Sequence, residues 1–510
     1  MVILAFLKYS PHVGGARTSP PVRQREMILP RSGYIPSASK PRQMRNGCNF
    51  LMKLNWFSPL PPAATDIAHF TMRVLPALSQ RADVTLWTVS QARASARASI
   101  EAFSRLADIR TFDPNRVPWQ DLNRADVCIY NIGNNPVFHG AIWQVARRHA
   151  GIVILHDTRL HNFFDGLYRV QLRDLAGYLE VMSFYYGEEG LRDGADCYRN
   201  EARNIKEMSE QYPLTEHALE NSLGVIVHTE QAFAELSKRS DRPVAYLTLP
   251  FTVPGLQDCT RSSPGRRTPR SDSSDAPYRL IMFGYIGRNR RLEAVLEALH
   301  GMPGRERFHL DVFGEILDNE DQIRRQIRDL GLKKLVTLHG FAPEEKLDEA
   351  LLQADLAINL RYPTMGEASG SQLRIWAHAL PSLVTNVGWY ATLPEEAVVH
   401  VRADKNEVGD IQSGLRAFVD DRARFAELGQ RGRKILEEQH APEKYALGLV
   451  EFVEEVTHHR VHAALLNLAE RSGAITSDLF GKEASDAIVS NVGNEIRSLT
   501  NCYPTNRDIH

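Results

Sequence analysis

Short hydrophobic runs recur along the chain, separated by stretches with the 3.6-residue period of an amphipathic helix. The first series begins after residue 52 and contains the runs LNWF, DVTLWTV, DVCIYNI, GIVIL and GVIVH. Continuous apolar runs that alternate with helices are typical of parallel strands buried on both faces of a sheet. The pattern therefore predicts a doubly wound α/β domain over residues 52–255.

A second series of the same kind begins after residue 277. Its strand-like runs are YRLIMFGYI, FHLDVFG, LVTLHGF, LAINLR, PSLVTNV and AVVHV, with helical patterns such as RRLEAVLEAL between them. It predicts a second doubly wound α/β domain over residues 278–440. Residues 256–277, rich in Ser, Arg and Pro, are predicted to form the linker between the two domains.

Three further segments lack a strand pattern. Residues 1–51 show no helix or strand period and are predicted to be a disordered extension, or a stretch upstream of a true start at Met52. Residues 159–221 are predicted to be a helical insertion in the first domain. Residues 441–510 are predicted to form C-terminal helices and a tail.

The composition restricts the class of partner. The 510 residues carry 61 Lys and Arg against 62 Asp and Glu, so the net charge is −1. A nucleic-acid or polybasic membrane binder would need a positive excess, so no nucleic-acid partner is expected. The five cysteines form no Cys-x-x-Cys pair, and no apolar run approaches the roughly 18 residues that span a bilayer. We therefore expect a cytoplasmic protein.

In parallel sheets the loops after the strands carry the ligand-binding residues. The segment RYPTMGEASGSQLRIW follows a strand and offers Ser369, Gly370 and Ser371 before a helix expected to begin near Leu373. Backbone N–H groups at such a helix start bind phosphate, and Glu367 is suited to bind sugar hydroxyls. The alternative is that the serines only cap the helix and Glu367 complements its dipole.

A second candidate is the segment FGYIGRNRRL, in which a glycine turn is followed by Arg288, Arg290 and Arg291. Guanidinium groups match the geometry of phosphate oxygens, so these arginines are candidates for neutralising a diphosphate. The alternative is a solvated basic helix start, although cations oppose the helix dipole at that end.

The first domain has its own polar strand ends. His156 and Asp157 follow GIVIL, where an imidazole positions a hydroxyl and a carboxylate orients it, unless the histidine is only structural. Asn134 and Asn135 follow DVCIYNI and are candidates for binding a polyol, or form an Asn-rich turn. No Asp-x-Asp pair or His/Glu cluster with metal spacing occurs in these loops, so no metal is expected.

Together, these motifs resemble those of the retaining glycosyltransferases of family 4. The resemblance covers residues 53–455 and rests on the proline-rich loop SPLPPAATD, on LHD, GVIVHTE, the arginine-bearing glycine loop and PTMGEASGS. It implies a GT-B fold, in which two Rossmann-like domains face a cleft. The first domain would bind the acceptor and the second a nucleotide-sugar donor.

The reaction implied by the resemblance is transfer of a sugar from a nucleotide-sugar to a hydroxyl of a glycan or lipid-linked acceptor, with retention of configuration. The implied setting is cell-surface polysaccharide or lipopolysaccharide biosynthesis in the cytoplasm, with peripheral contact at the inner face of the membrane as an option. No cofactor is implied. Acceptor choice would lie with the insertion at residues 159–221, unless this insertion is a plain helical lid.

The resemblance also implies roles for individual residues. Glu367 would contact the donor sugar, and His156 would lie near the reacting carbon. Arg290 would lie beside the leaving diphosphate, with Arg288 or Arg291 as its partner cation. The remaining donor contacts are a diphosphate loop and a loop that reads the base, formed respectively by Ser369, Gly370, Ser371 and Leu373, and by Phe341 and Ala342.

Two positions depart from the family pattern. Ile375 occupies the position of a second glutamate that holds the ribose, and Asp66 occupies that of a glycine in the first loop. These departures keep a second hypothesis open, a catalytically silent GT-B scaffold that binds a nucleotide-sugar or a protein partner. Another GT-B enzyme, such as an epimerase or a phosphorylase, is the third.

Overall fold

The computed structural model describes residues 51–63, 65–89, 101, 103–199, 205–239, 242–252, 276–317 and 320–458. Residues 1–50, most of the predicted linker and the tail beyond residue 458 lie outside the described residues. The described chain forms two parallel sheets, each covered by helices, which confirms the α/β fold class.

The first sheet has seven parallel strands in the order β3-β2-β1-β4-β5-β6-β7. The strands are β1 (Met52–Phe57), β2 (Ala82–Val89), β3 (Asp108–Phe112), β4 (Val127–Ile132), β5 (Gly151–Leu155), β6 (Ser222–Val227) and β7 (Val244–Tyr246). The hydrophobic runs predicted every strand except the two at the edges. β3 is mostly exposed and β7 has three residues, so neither carries the continuous apolar run of a central strand.

The second sheet has six parallel strands in the order β10-β9-β8-β11-β12-β13. Its strands are β8 (Tyr278–Phe283), β9 (Phe308–Phe313), β10 (Val336–Gly340), β11 (Leu356–Asn359), β12 (Ser382–Thr385) and β13 (Val399–Val401). All six were predicted from the sequence. In both sheets the strand order reverses beside the first strand, between β1 and β4 and between β8 and β11, which marks the place where ligands bind in doubly wound folds.

The helices around the first sheet are α1 (Asp66–Leu78), α2 (Trp119–Leu122), α3 (Pro136–Ala146) and α8 (Glu230–Arg239). The predicted insertion is helical and has no strand in its described part. It contains α4 (His161–Gly166), a π-helical turn (Leu167–Leu172), α5 (Leu175–Arg199), α6 (Ile205–Gln211) and α7 (Thr215–Ala218). Helix α5 is kinked at Gly187, which has a φ of 67°.

The helices around the second sheet are α9 (Leu292–His300), α10 (Glu320–Asp329), α11 (Glu344–Gln353), α12 (Gly370–Ala377), α13 (Glu407–Asp420) and α14 (Arg422–Gln439). The predicted start of α12 near Leu373 is wrong. The helix begins at Gly370 because Ser369 caps it, with the Ser369 hydroxyl accepting a hydrogen bond from Gln372 N at 3.1 Å.

The last described helix, α15 (Pro442–His458), returns to the first sheet. Its apolar face enters the core under β1 and α1, through Tyr445, Ala446, Leu449, Phe452, Val453 and Val456. The final helix therefore contributes to the same hydrophobic core as the first strands of the first sheet. Among the described helices, none is long and apolar enough to cross a membrane.

Candidate functional site

A cavity of about 490 Å³ lies between the carboxyl edge of the second sheet and helix α1 of the first domain. The first domain contributes the loop before α1 and the face of α1 that carries Asp66, His69 and Arg73. The second domain contributes the loops after β8, β9, β10 and β11 and the first turns of α11 and α12. The cavity therefore lies at the strand-order reversal of the second sheet.

Arg290 is the central cation of this cavity. It follows β8 and is only 6% exposed. Its Nη1 donates to Asn359 Oδ1 at 2.8 Å and its Nη2 to Ser371 Oγ at 3.2 Å, whereas its buried Nε has no hydrogen-bond partner among the described residues. Burial and the nearby Arg361 lower the pKa of Arg290 to about 10, which still leaves a cation at neutral pH.

A buried chain of amides fixes the position of Arg290. Asn359, at the end of β11, donates through Nδ2 to Gln372 Oε1 at 2.9 Å. Gln372, on α12, donates through Nε2 to Ser382 Oγ at 2.8 Å. Because these amides are satisfied within the protein, the guanidinium is held at the sheet edge before any ligand arrives.

The N-terminus of α12 lies beside Arg290. Gly370 and Ser371 line the cavity, whereas Ser369 is buried as the helix cap. A β-carbon added at Gly370 would meet no atom within 4 Å, so the backbone there is open to a ligand. Free N–H groups, the helix dipole and an adjacent guanidinium together form an anion site suited to phosphate. Leu373 has no exposed surface and packs in the core instead.

Glu367 lies in the loop before α12 and is held on several sides. Its Oε2 accepts hydrogen bonds from Thr364 Oγ1 at 2.8 Å and from Met365 N at 2.6 Å, and Arg361 Nε lies 3.3 Å from its Oε1. Burial alone would lower the pKa of Arg361, but Glu367 and Tyr390 outweigh it and raise this pKa. Arg361 lines the cavity, and Glu367 fixes the loop behind it.

Arg288 and Arg291 are not brought to this cavity. Both line a separate surface cavity of about 460 Å³. Arg291 Nε donates to Glu407 Oε1 at 2.9 Å, and the Glu407 side chain is only 4% exposed. The positive charge of Arg291 at the start of α9 is therefore balanced by Glu407 of the protein and not by a ligand. The structure thus separates three arginines that are neighbours in the sequence.

The predicted residues of the first domain do not line this cavity. Asn134 N donates to Asp157 Oδ2 at 2.8 Å, and Asn135 caps α3 by accepting from Val137 N. His156 Nε2 lies 3.0 Å from Asn131 Oδ1. Burial, with the nearby His228 and His139, lowers the pKa of His156 well below its ordinary value, so the ring is neutral at pH 7.

The two domains are hydrogen-bonded at this point. Thr158 N and Arg159 N both donate to Met365 O, at 3.0 and 3.1 Å. Burial and the nearby Glu367 carboxylate raise the pKa of Asp157. The strand-end loop of β5 and the loop that carries Glu367 therefore form one connected wall, which brings Asp157 close to Glu367 across the domain boundary.

Phe341 and Ala342, after β10, also line the cavity. Phe341 is 75% exposed, an unusual exposure for a phenylalanine, and offers a flat apolar surface to a ligand. In the helical insertion, by contrast, Tyr168, Tyr178 and Tyr212 are buried and hydrogen-bonded inside the insertion. These tyrosines serve the core of the first domain.

Several cavity residues were missed in the sequence. Arg361 and Arg374 lie at either side of the predicted loop in the segment RYPTMGEASGSQLRIW, and both line the cavity. Their positions next to the predicted phosphate loop could have identified them from the sequence. Arg73 stacks over Phe251, with its guanidinium carbon 4.1 Å from the ring centroid. The only sequence signal for Arg73 was its spacing of four residues from His69, which puts both side chains on the same face of α1. Ile375 is 1% exposed in an apolar cluster, so its neighbour Arg374 is the residue that faces the cavity.

Residues 268–435 match the family model described as Glycosyl transferases group 1. The chain carries a glycosyl transferases group 1 domain. This domain holds the second sheet, Arg290, Asn359 and helix α12. Among the described residues, no group of three or more His, Cys, Asp or Glu side chains is arranged to hold a metal ion.

One curated relative is also similar to part of this chain. The chain is 28% identical over 191 residues to D-inositol 3-phosphate glycosyltransferase of Nocardia farcinica (strain IFM 10152), and the match covers 35% of this chain and 42% of that relative. The match thus spans less than half the length of the curated relative.

Two solved structures share the GT-B fold. Sucrose-phosphate synthase from Thermosynechococcus elongatus superposes with a TM-score of 0.52 at 14% identity, over 79% of this chain and 99% of that one. HepE of Anabaena, solved in complex with UDP, superposes with a TM-score of 0.51 at 14% identity, over 79% of this chain and 100% of that one. The GT-B fold, with its two parallel-sheet domains, is confirmed.

Proposed function

We propose that this protein is a glycosyltransferase that moves a sugar from a nucleotide-sugar donor to a hydroxyl of an acceptor. The observation that carries the proposal is the buried Arg290, whose guanidinium and free Nε lie beside the open first turn of α12 in the group 1 domain. A buried cation next to a helix N-terminus is arranged for a diphosphate.

The proposed orientation of the donor follows from the residues that line the cavity. Its diphosphate lies at Arg290, Gly370 and Ser371, and its base lies against Phe341 and Ala342. The UDP bound to HepE of Anabaena supports a nucleoside diphosphate as the ligand class.

The chemical step breaks the bond between the anomeric carbon and the diphosphate oxygen. Arg290 and the N–H groups of α12 stabilise the negative charge that develops on the departing diphosphate. The acceptor oxygen bonds to the anomeric carbon on the same face, and its proton passes to the departing phosphate, so configuration is retained. Glu367 is held by Arg361, Thr364 and Met365 and serves to position the loop. The proposal invokes no metal or cofactor.

The acceptor is proposed to be a glycan or a lipid-linked sugar that enters from the first domain, beside the wall that contains Asn134 and Asp157. The proposed setting is the assembly of cell-surface polysaccharide or lipopolysaccharide in the cytoplasm, with peripheral contact at the inner face of the membrane.

The test is a thermal-shift and donor-hydrolysis panel with UDP-, GDP-, ADP- and dTDP-sugars, because a ligand that binds the native state raises its melting temperature. We expect one nucleotide class to raise the melting temperature and to release sugar slowly. Arg290→Ala should abolish both effects. Arg288→Ala is the matched control, since it removes an exposed arginine from the same turn but outside the cavity.

Two outcomes would count against the enzyme, and a third against the assigned diphosphate site. A melting-temperature shift without sugar release, even with acceptors supplied, would favour the silent scaffold. No shift with any donor would reject a nucleotide-sugar site. Equal losses in the Arg290→Ala and Arg288→Ala variants would reject the assignment of the diphosphate site to Arg290.

A further inference from the structure

Arg374 and Glu344 form an ion pair on the wall of the cavity, on the side of α11. The Arg374 side chain is 9% exposed, and its Nη1 lies 3.0 Å from Glu344 Oε2. Its Nη2 donates to Asp348 Oδ1 at 2.8 Å, which fixes the guanidinium from a second side. Glu344 begins α11 and keeps 54% of its side chain exposed. Arg374 is therefore held in place by the protein, whereas the Glu344 carboxylate is accessible to a ligand.

Glu344 is presented as a carboxylate. Burial would raise its pKa, but the hydrogen bond and charge of Arg374, together with His69 and Arg73 on the facing helix α1, outweigh burial and lower this pKa. Glu344 is thus ionised at neutral pH and accepts hydrogen bonds only.

The ion pair joins the two segments that the proposed donor contacts, helix α12 and the loop before α11. Arg374 follows Ser371 by three residues on α12, a rise of about 4.5 Å along the helix. Glu344 directly follows the apolar loop at Phe341 and Ala342. In a nucleoside diphosphate the ribose joins the base to the diphosphate, so a ligand that spans these two segments places its ribose beside Glu344.

Glu344 is also the carboxylate best placed for this contact. The other carboxylates that line the cavity, Asp66 and Glu315, both interact with Tyr285 in the loop after β8, and Asp66 also interacts with Arg290. Neither of them follows the Phe341 and Ala342 loop along the chain, as Glu344 does. Position 375 is unsuitable for a ribose contact, because the Ile375 side chain packs among Ile281, Leu351 and Leu380.

We infer that Glu344, positioned by Arg374, accepts hydrogen bonds from the 2′- and 3′-hydroxyls of the donor ribose and so selects ribonucleotides over 2′-deoxyribonucleotides. A carboxylate with two oxygens matches the two donors of a vicinal diol. This inference rests on the proposed function, because it needs a nucleoside diphosphate in the cavity.

The experiment measures the dissociation constants of UDP, GDP and ADP and of their 2′-deoxy counterparts by calorimetry, using the full chain. For the nucleotide that binds, we expect the 2′-deoxy form to bind about 10-fold more weakly to the wild type, since one charge-assisted hydrogen bond is lost. Glu344→Gln should reduce this preference to less than about 3-fold. The amide oxygen of the glutamine still accepts from Arg374, so the fold is kept.

Glu345→Gln is the matched control, because Glu345 is the exposed neighbour of Glu344 in the same first turn and does not line the cavity. It should keep the wild-type preference for the ribonucleotide. Equal binding of both sugar forms by the wild type, or an unchanged preference in Glu344→Gln, would overturn the inference alone. Binding of dTDP alone would overturn the inference and leave the proposed function standing. If neither these six nucleotides nor dTDP binds the wild type, the proposed function fails, and the inference fails with it.

Discussion

Arg361 and Glu367 form an ion pair beneath the proposed donor site, with Arg361 Nε 3.3 Å from Glu367 Oε1 and both side chains largely buried, at 21% and 15% exposure. The pair joins the end of β11 to the loop that precedes α12. Removal of one member of a buried pair leaves the other charge without compensation. Loss of the pair should therefore both destabilise the second domain and disturb the loop that lines its ligand site.

The first prediction concerns this ion pair. If Glu367 only contacts the donor sugar, as the family resemblance implies, Glu367→Ala should lower turnover far more than stability. The structure changes that expectation, because the variant leaves Arg361 buried without its carboxylate. We expect Glu367→Ala to lower the free energy of unfolding by about 3 kcal/mol as well as to lower turnover. Urea unfolding of the wild type and the variant measures this. A loss below about 0.5 kcal/mol would contradict the structural role.

The second prediction concerns Asn359, which is 4% exposed and accepts from Arg290 Nη1 at 2.8 Å. Asn359→Asp places a carboxylate against the guanidinium and competes with a bound diphosphate for its charge. A turn of the Gln372 amide restores the remaining hydrogen bonds, so the fold should be kept. We expect nucleoside diphosphates to bind at least about 10-fold more weakly.

Calorimetry with the same nucleotides measures this loss, and the melting temperature without nucleotide serves as its control. Unchanged affinity in a folded Asn359→Asp variant would show that Arg290 does not contact the diphosphate.

The third prediction concerns Gly366, which has a φ of 83° and lies against Thr158 of the first domain. A β-carbon there would clash with Thr158 Oγ1. Gly340 has a φ of 67° but no atom within 4 Å of an added β-carbon, so it isolates the cost of backbone strain. We expect Gly340→Ala to cost about 1 to 2 kcal/mol of unfolding free energy, and Gly366→Ala to cost about 1 to 3 kcal/mol more.

The added cost of Gly366→Ala should fall when Thr158→Ala is combined with it, because the clashing hydroxyl is removed. Equilibrium unfolding of the wild type, of Gly340→Ala, Gly366→Ala and Thr158→Ala, and of the double variant Gly366→Ala/Thr158→Ala provides the comparison. Equal costs for the two glycine substitutions would mean that the close approach of the two domains at Thr158 is absent in solution.

The fourth prediction is a pH dependence that arises from Asp157. Burial and Glu367 raise its pKa in the folded protein above the unfolded value of about 3.9. The folded state therefore holds this proton more tightly, and the corresponding stability is lost as the pH rises from about 4 through the raised pKa. Asp157→Asn removes this titration and keeps an oxygen to accept from Asn134 N.

We therefore expect the free energy of unfolding of Asp157→Asn, relative to that of the wild type, to increase as the pH is raised from 4 to 8. Denaturant unfolding at each pH measures it, with the exposed Asp83→Asn as the control that should follow the wild type. Parallel curves for Asp157→Asn and the wild type would show that the carboxyl is not perturbed in the folded protein.

The hydrophobic pattern of the chain determined the architecture. Central strands such as β5 and β8 are buried on both faces and therefore appear as continuous apolar runs, which identify a parallel sheet without further information. The edge strands β3 and β7 were not predicted, because a strand with one neighbour and partial exposure needs no such run. The start of α12 was placed too late, because the sequence offers both Ser369 and Ser371 as caps, and the structure shows that Ser369 accepts from Gln372 N.

The residue types of the site could be predicted, but their grouping could not. The sequence placed Arg288, Arg290 and Arg291 together, and the turn that joins them sends Arg290 into the cavity and Arg291 to Glu407, which is 116 residues away in sequence. Likewise, the helical rotation of about 100° from one residue to the next directs Arg374 toward the ligand and Ile375 into the core. The periodicity of burial is a local property, so it can be recognised in the sequence. The partners of each charged side chain depend on contacts between segments that are distant in the sequence, so they are known only from the folded protein.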